Sequence, residues 1–256
     1  MTDQTIRLGI IDTIPSEFYI DGEKTDPQKF IDMFRRIKAP MTFRTYLATE
    51  EDYPGSLDEC DAYLITGSPC SVYDKYTWLK DLENFIRHVC DEEIPLVGIC
   101  FGHQAIAQSL GGKVRLADGG WTLGLHEFDV TVEKQWMLNR TTNSHALYFI
   151  NQDQVVTLPP DVEWLGGSDA CPNAMFYRED RILSIQGHPE QPLSSMQRFL
   201  ELLLDEYHVD RKLVDHAAAT MAAGKPDADL TAMWISDFLR SSLRSPNQKA
   251  HRRTPP

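Results

Sequence analysis

One cysteine lies where an apolar run passes directly into a stretch of helical character. Cys100 follows the apolar residues 95–99, with Gly98 and Gly102 two positions before and after it. A nucleophile at a sharp strand-to-helix turn needs such small neighbours, because bulkier side chains would collide as the chain folds back. The turn places the sulfur at a helix N-terminus, which favours thiolate, and directs the N–H of Phe101 at a carbonyl under attack. The segment predicts a nucleophile; a structural cysteine in an ordinary turn is the alternative.

A histidine and a glutamate follow a later apolar strand pattern at residues 182–185. His188 and Glu190 are separated by Pro189, and residues i and i+2 at a strand end project to the same side. Glu190 can therefore bond the ring nitrogen that faces away from a sulfur, and so fix the tautomer of the imidazole. A thiol nucleophile needs such an imidazole to hold the ion pair and protonate the leaving amine. Alone, the pair could be a solvated turn; with Cys100, it predicts a Cys-His-Glu triad.

The other cysteines lack the setting of Cys100. Cys60, Cys90 and Cys171 are interpreted as packing residues, and Cys70, beside a proline turn, is the one other candidate for a reactive thiol. The chain has five cysteines, an odd number, and shows no secretory signal. Both features favour free thiols in a reducing compartment, here the cytoplasm. Because there is neither a CxxC pair nor an HExxH motif, we predict no metal and no cofactor.

Charge and hydropathy limit the partners. The chain has 256 residues and a formal charge of −13, which disfavours nucleic acid as a partner. The basic residues 249–253 are interpreted as a flexible tail. The N-terminal apolar run, residues 8–11, is far too short to cross a membrane. We therefore expect a soluble protein without nucleic-acid or membrane partners.

The first half of the chain alternates strand and helix patterns. Strands are predicted at residues 7–11, 41–47, 61–65 and 95–99, with helices from Asp26, interpreted as a cap, and over residues 76–90. Such alternation is typical of a mainly parallel sheet covered by helices on both faces.

The second half changes to short strands between turns. Strands are predicted at residues 114–116, 127–132, 154–158, 163–166, 174–177 and 182–185, partly antiparallel or at the sheet edge. Pro192 opens a helix, and two more follow at 212–223 and 228–243. We divide the chain into a main domain, 1–207, and a helical extension with its tail, 208–256. The bulky apolar surface of the last helix is interpreted as core packing, with a subunit contact in a homo-oligomer or an active-site lid as alternatives.

Several segments resemble those of a known family. GICFGHQ (98–104) and GHPE (187–190) resemble the two signature segments of class I glutamine amidotransferases, and TGSPCSVYD (66–74) is similar to the oxyanion loop of the GMP synthetase glutaminase domain. Segments 151–159 and 167–176 resemble stand-alone relatives of that domain. The resemblance spans about residues 7–207 and implies a three-layer α/β fold of flavodoxin-like type, followed here by the helical extension.

The resemblance also implies roles for individual residues. Ser68 N–H would be the second oxyanion donor beside Phe101 N–H, although relatives usually have glycine at position 68. Asn151 stands where relatives commonly have histidine. The residues implied to contact a substrate are Gly67 and Gln104 and, through their backbone, Asn151 and Gln152.

The predicted reaction is attack on the γ-carbonyl of glutamine or a γ-glutamyl compound through a thioester. The sequence has no P-loop pattern to activate an acceptor, so released ammonia would pass to a separate synthetase subunit. Alternatively, cleavage is itself the purpose, as in the plant γ-glutamyl peptidases that resemble this stand-alone group. A non-catalytic scaffold that binds a partner is a third reading. A redox or chaperone-like cysteine protein is a fourth, which Glu190 after His188 disfavours.

Overall fold

The structure is a computed structural model, and it describes residues 5–20 and 22–244. The predicted flexible tail lies outside the described residues. The strands are Ile6–Asp12 (β1), Met41–Leu47 (β2), Ala62–Ile65 (β3), Leu96–Ile99 (β4), Lys113–Leu116 (β5), Thr122–Val130 (β6), Ser144–Asn151 (β7), Asp153–Thr157 (β8), Glu163–Gly167 (β9), Met175–Arg178 (β10) and Ile182–Ile185 (β11). The longer helices are Asp26–Arg36 (α1), Trp78–Asp91 (α2), Phe101–Ser109 (α3), Leu193–Asp205 (α4), Arg211–Ala223 (α5) and Ala228–Arg244 (α6).

Nine strands of the described chain form one sheet, in the order β2-β1-β3-β4-β11-β10-β9-β6-β7. The neighbours from β2 to β11 are all parallel, and those from β11 to β7 are antiparallel. Strands β5 and β8 form a separate antiparallel pair. The parallel half matters for function, because neighbouring parallel strands end at the same edge of a sheet.

Helices cover both faces of this sheet. On one face, α1 and α6 pack against β1, β3 and β4, and Trp234 and Phe238 are buried in the same apolar cluster as Phe34. On the other face, α2 and α3 pack through Trp78 and Phe101. The three-layer α/β fold is thus confirmed. The packing of α6 agrees with the core interpretation of its apolar surface, while the division of the chain at residue 207 stays a prediction.

The sequence missed one strand and placed another too late. Strand β7 was not predicted, and β6 begins at Thr122 rather than at residue 127. Gly124 interrupts the strand pattern of β6, and its positive φ of 94° lets α5 approach closely, since a Cβ there would lie 2.8 Å from Ala217 Cα. Strand β7 was not predicted because its buried and exposed residues do not alternate strictly, and such alternation is the pattern by which a strand is recognised in a sequence.

The predicted cap of α1 is wrong by one residue. Thr25 occupies the N-cap position, and Asp26 is the first residue of the helix. The Asp26 carboxylate instead accepts hydrogen bonds from Lys29 Nζ at 3.0 Å and Gln191 Nε2 at 3.1 Å. Its place at the start of the helix still suits a negative charge.

Candidate active site

Cys100 lies at a sharp turn between β4 and α3. Its backbone has φ 52° and ψ −106°, a conformation that residues other than glycine rarely adopt. The two flanking glycines make the turn fit. A Cβ on Gly98 would lie 2.6 Å from the carbonyl oxygen of Gly102, and a Cβ on Gly102 would lie 2.4 Å from that of Ile65. Both distances are too short for any side chain, which is why the sequence has glycine there.

His188 lies three residues past the end of β11, the strand that neighbours β4 at this turn. Cys100 N–H donates to Ile185 O at 2.9 Å, which fixes the end of β11 beside the turn. His188 N–H in turn donates to Tyr148 O of β7 at 2.7 Å. A Cβ on Gly67 would lie 3.1 Å from His188 Cε1 and 3.7 Å from Cys100 Cβ, so the ring and the cysteine face the same small space.

Glu190 holds the imidazole from behind. His188 Nδ1 donates to Glu190 Oε1 at 2.7 Å, and the glutamate side chain is completely buried. Nε2, on the other side of the ring, has no hydrogen-bond partner within the described residues. This arrangement leaves one ring nitrogen for orientation and the other for proton transfer.

The electrostatics favour a charged imidazole. Burial by itself lowers the pKa of His188, but the negative charges of Cys100 and Glu190, with the hydrogen bond to Glu190, outweigh it and raise that pKa well above its ordinary value. A protonated imidazole beside a thiolate is the resting form that thiol nucleophiles need.

Cys100 and His188 open into a cavity of about 410 Å³. One side is polar and is formed by the cysteine, the histidine and the loop residues Gly67, Ser68 and Gln152. The lining also contains a larger apolar and aromatic set, with Glu17 and Glu206 as charged members; the apolar members include Phe18, Trp121, Ile150, Phe199, Leu203 and Tyr207. The cavity therefore has room for a ligand with a polar end at the sulfur and an apolar body beyond it.

The two candidate oxyanion donors belong to different elements, the start of α3 and the loop after β3. Phe101 is the first residue of α3, so its N–H has no acceptor within the helix. Ser68 lines the cavity, but its hydroxyl donates to Thr13 O at 2.6 Å and accepts from Cys70 N–H at 3.2 Å. Because its side chain is used to fix the loop, Ser68 is left with its backbone for contact with a ligand.

The four predicted substrate contacts divide into two groups. Gly67 and Gln152 line the cavity. Gln104 and Asn151 are buried behind it, and their side-chain amides donate to Asp153 O at 2.8 Å and 3.1 Å respectively. The structure therefore does not bring the Gln104 and Asn151 side chains to the cavity surface; they support its wall.

Sequence reasoning missed several residues at the site. Asp26 lines the cavity beside Gln191, and its carboxylate is paired with buried Lys29. A pair of opposite charges three residues apart in an apolar helix face is the signal that could have drawn attention to Asp26. Trp121 and Phe199 carry no comparable signal, because they come from separate elements that only the fold brings together.

The remaining thiols and histidines offer weaker chemistry. Burial raises the pKa of Cys70, and it raises that of Cys90 to about 11 and of Cys171 to about 12. His103 is fully buried against Ser184 Oγ at 2.8 Å, and burial lowers its pKa to about 3. Within residues 5–20 and 22–244 no cluster of three metal-ligating side chains occurs, and no helix there has the length and apolarity to cross a membrane.

Comparison with known proteins identifies the family. The model of the class-I glutamine amidotransferases matches residues 20–205. Two solved glutamine amidotransferases share the fold, each with a TM-score of 0.70: one from Thermotoga maritima, 20% identical over 95% of this chain and 100% of its own, and one from Methylobacillus flagellatus, 18% identical over 94% and 96%. The chain belongs to the class-I glutamine amidotransferase family.

Sequence relatives include both hydrolytic peptidases and a synthase. γ-Glutamyl peptidase 3 of Arabidopsis thaliana is 28% identical over 72% of this chain and 76% of its own length. A glutamine amidotransferase-like protein of Schizosaccharomyces pombe is 31% identical over 77% and 80%. A glutamine-hydrolyzing GMP synthase of Porphyromonas gingivalis is 28% identical over 54% of this chain, but over only 26% of the synthase.

Proposed function

We propose that this protein hydrolyses γ-glutamyl amides through a thioester on Cys100. The sulfur attacks the γ-carbonyl carbon, and the N–H groups of Phe101 and Ser68 hold the oxyanion. The C–N bond then breaks as His188 gives its proton to the departing amine. His188 next removes a proton from water, which attacks the thioester, and glutamate leaves as Cys100 regains its starting form.

One observation carries this proposal. A buried imidazole lies between the carboxylate of Glu190, at 2.7 Å, and the sulfur of Cys100, at the wall of a cavity large enough for a substrate. The strained backbone of the cysteine supports it, since such strain persists where the surrounding structure requires it.

The test is replacement of the nucleophile. In Cys100→Ala we expect turnover of γ-glutamyl amides to fall to background and the thioester intermediate, trapped by acid quench and measured by mass spectrometry, to disappear. The thermal midpoint should stay close to that of the wild type. Cys90→Ala, which removes a half-buried thiol from another part of the chain, is the matched control and should keep full activity. Full activity in Cys100→Ala would refute the proposal.

The cavity favours γ-glutamyl peptides or conjugates over free glutamine. Glutamine releases only ammonia, which would leave the apolar wall formed by residues such as Trp121, Phe199 and Tyr207 without a ligand group to contact. The similarity to γ-glutamyl peptidases points in the same direction. We therefore propose γ-glutamyl peptidase activity on substrates with an apolar amine portion. Comparable kcat/KM for glutamine and for γ-glutamyl-phenylalanine would contradict this preference.

A separate synthetase subunit that accepts ammonia is the alternative that the GMP synthase relatives support. It predicts efficient glutaminase activity, or activity that appears only when a partner is added. A non-catalytic scaffold is the remaining alternative, and it predicts no covalent capture of Cys100 by a glutamine-analogue electrophile. A homo-oligomer and a cytoplasmic location stay predictions.

A further inference from the structure

The loop that carries Ser68 is hydrogen-bonded to the start of β8 through one carboxylate. Asp153, at the start of β8, is only 8% exposed. Its Oδ2 accepts a hydrogen bond from Ser71 Oγ at 2.5 Å, and its Oδ1 accepts one from Tyr73 Oη at 2.5 Å. Both donors belong to the segment 66–74, so each carboxylate oxygen holds one point of the same loop.

The backbone of the same residue holds two further parts of the site. Asp153 O accepts from Gln104 Nε2 of the nucleophile helix at 2.8 Å and from Asn151 Nδ2 at 3.1 Å. Gln152, which lines the cavity, lies between Asn151 and Asp153 in sequence. Residue 153 therefore joins the Ser68 loop, the helix that begins after Cys100 and the segment at the cavity wall.

The other end of the loop is fixed independently. Thr66 O accepts from Gly102 N–H at 3.0 Å, and the Ser68 hydroxyl donates to Thr13 O at 2.6 Å. Pro69 then turns the chain away, and Asp153 holds it again at positions 71 and 73. Ser68 thus lies between two sets of hydrogen bonds, and removal of the second leaves residues 69–74 with the packing of Cys70 and Val72 against the core but without their bonds to β8.

We infer that Asp153 is a positioning residue that sets the place of the Ser68 N–H relative to Cys100. The inference rests on the proposed function, in which that N–H stabilises the oxyanion. A carboxylate suits the task because it accepts from two hydroxyls at once, and hydrogen bonds to an ionised group are stronger than those between neutral groups. An amide at this position would offer one acceptor oxygen and a misplaced donor.

Asp153→Ala is the direct test. Loss of one oxyanion donor typically lowers kcat by about 10²–10³-fold. Because the donor here is loosened rather than removed, we expect kcat for a γ-glutamyl amide to fall by about 10- to 100-fold while KM changes much less. Alkylation of Cys100 by iodoacetamide needs the thiolate and His188 but no oxyanion donor. Its rate should stay at the wild-type value.

A second variant protects the test against a folding defect. Ser71→Ala with Tyr73→Phe removes both donors but keeps Asp153, and it should reproduce the loss of kcat. Adding Asp153→Ala to this double variant should cost little more, because all three changes remove the same contacts. Ser144→Ala is the matched control, since Ser144 Oγ makes a similar bond, 2.9 Å long, to Glu127 between β6 and β7. It should keep wild-type kcat.

Two outcomes would overturn the inference. One is a wild-type kcat in Asp153→Ala; the other is a fall in the alkylation rate as large as the fall in kcat, which would mean general damage to the site. The proposed function fails by a different result, activity in Cys100→Ala, so the two failures are distinguishable.

Discussion

Gly102→Ala should damage the site through one backbone contact. A Cβ on residue 102 would lie 2.4 Å from the carbonyl oxygen of Ile65 and 2.9 Å from its carbonyl carbon. An ordinary contact of this kind is about 3.4 Å, so α3 and the end of β3 must separate by about 1 Å. The neighbouring bond from Gly102 N–H to Thr66 O, 3.0 Å long, would be stretched at the same time.

The displacement has an expected cost in both stability and rate. Overpacking typically costs about 1–3 kcal/mol, and in a protein of this size each kcal/mol lowers the thermal midpoint by about 2–4 °C. We therefore expect a fall of about 2–12 °C. Thr66 leads directly into the loop with Ser68, and a misplacement of about 1 Å in an active site can cost about 10²-fold in rate. We expect kcat to fall by about that factor.

The assay combines thermal unfolding with steady-state kinetics on a γ-glutamyl amide. Gly119→Ala is the matched control, because nothing lies within 4 Å of its added Cβ and its φ is not positive. It should leave both quantities unchanged. A Gly102→Ala protein with wild-type midpoint and kcat would refute the reasoning, and a lowered midpoint with wild-type kcat would refute the link to the Ser68 loop.

Two further predictions concern histidine charge. Cys100→Ala should lower the pKa of His188, because burial lowers that pKa and the variant lacks one of the two negative charges that raise it. An NMR titration of the ring in wild type and variant measures this, and an unchanged pKa would contradict the ion pair. His145, stacked on Trp234, has its pKa lowered to about 4 mainly by burial. As pH falls below about 6.5, His145 binds a proton in the unfolded chain but not yet in the folded protein. The free energy of unfolding should therefore decrease by about 1.4 kcal/mol per pH unit between about pH 6.5 and about pH 4. Urea unfolding of wild type and His145→Leu at pH 7 and pH 5 tests this, and a stability difference that does not shrink at pH 5 would contradict it.

The local geometry at Cys100 and at His188 could be predicted because it depends on short local patterns. Glycine is required at positions 98 and 102, because a Cβ at either position would lie only 2.4–2.6 Å from backbone oxygens. Both glycines fall within the five residues centred on Cys100, so the requirement is visible in the sequence. The spacing of His188 and Glu190 is equally local, and the 2.7 Å bond between them agrees with the expected geometry. The parallel half of the sheet followed from strand–helix alternation for the same reason.

The cavity wall could not be predicted, because it is assembled from distant parts of the chain. Phe18 precedes α1, Trp121 precedes β6, and Phe199 belongs to α4, yet all three line one cavity. Asp153 is a similar case, since its role depends on a loop about eighty residues earlier in the chain. The motif resemblance implied substrate contacts at Gln104 and at the backbone of Asn151, and it carried no sign that both side chains hold the backbone of residue 153.

The order of strands explains how residues 100 and 188 meet. Strands β4 and β11 are parallel neighbours with Ile99 opposite Ile185, and the next residue, Cys100, donates its N–H to Ile185 O. The 81 residues between Cys100 and Ile182 form α3 and the strands β5 to β10. Among these strands, β7 contacts the site directly, since Tyr148 O accepts the His188 N–H. Trp121 and Ile150 line the cavity from this segment, so substitutions there can reshape the cavity wall. The pairing of β4 with β11 and the bond from His188 N–H to Tyr148 O keep the cysteine and the imidazole in place. A site built in this way can change the amine it accepts without rebuilding its chemistry.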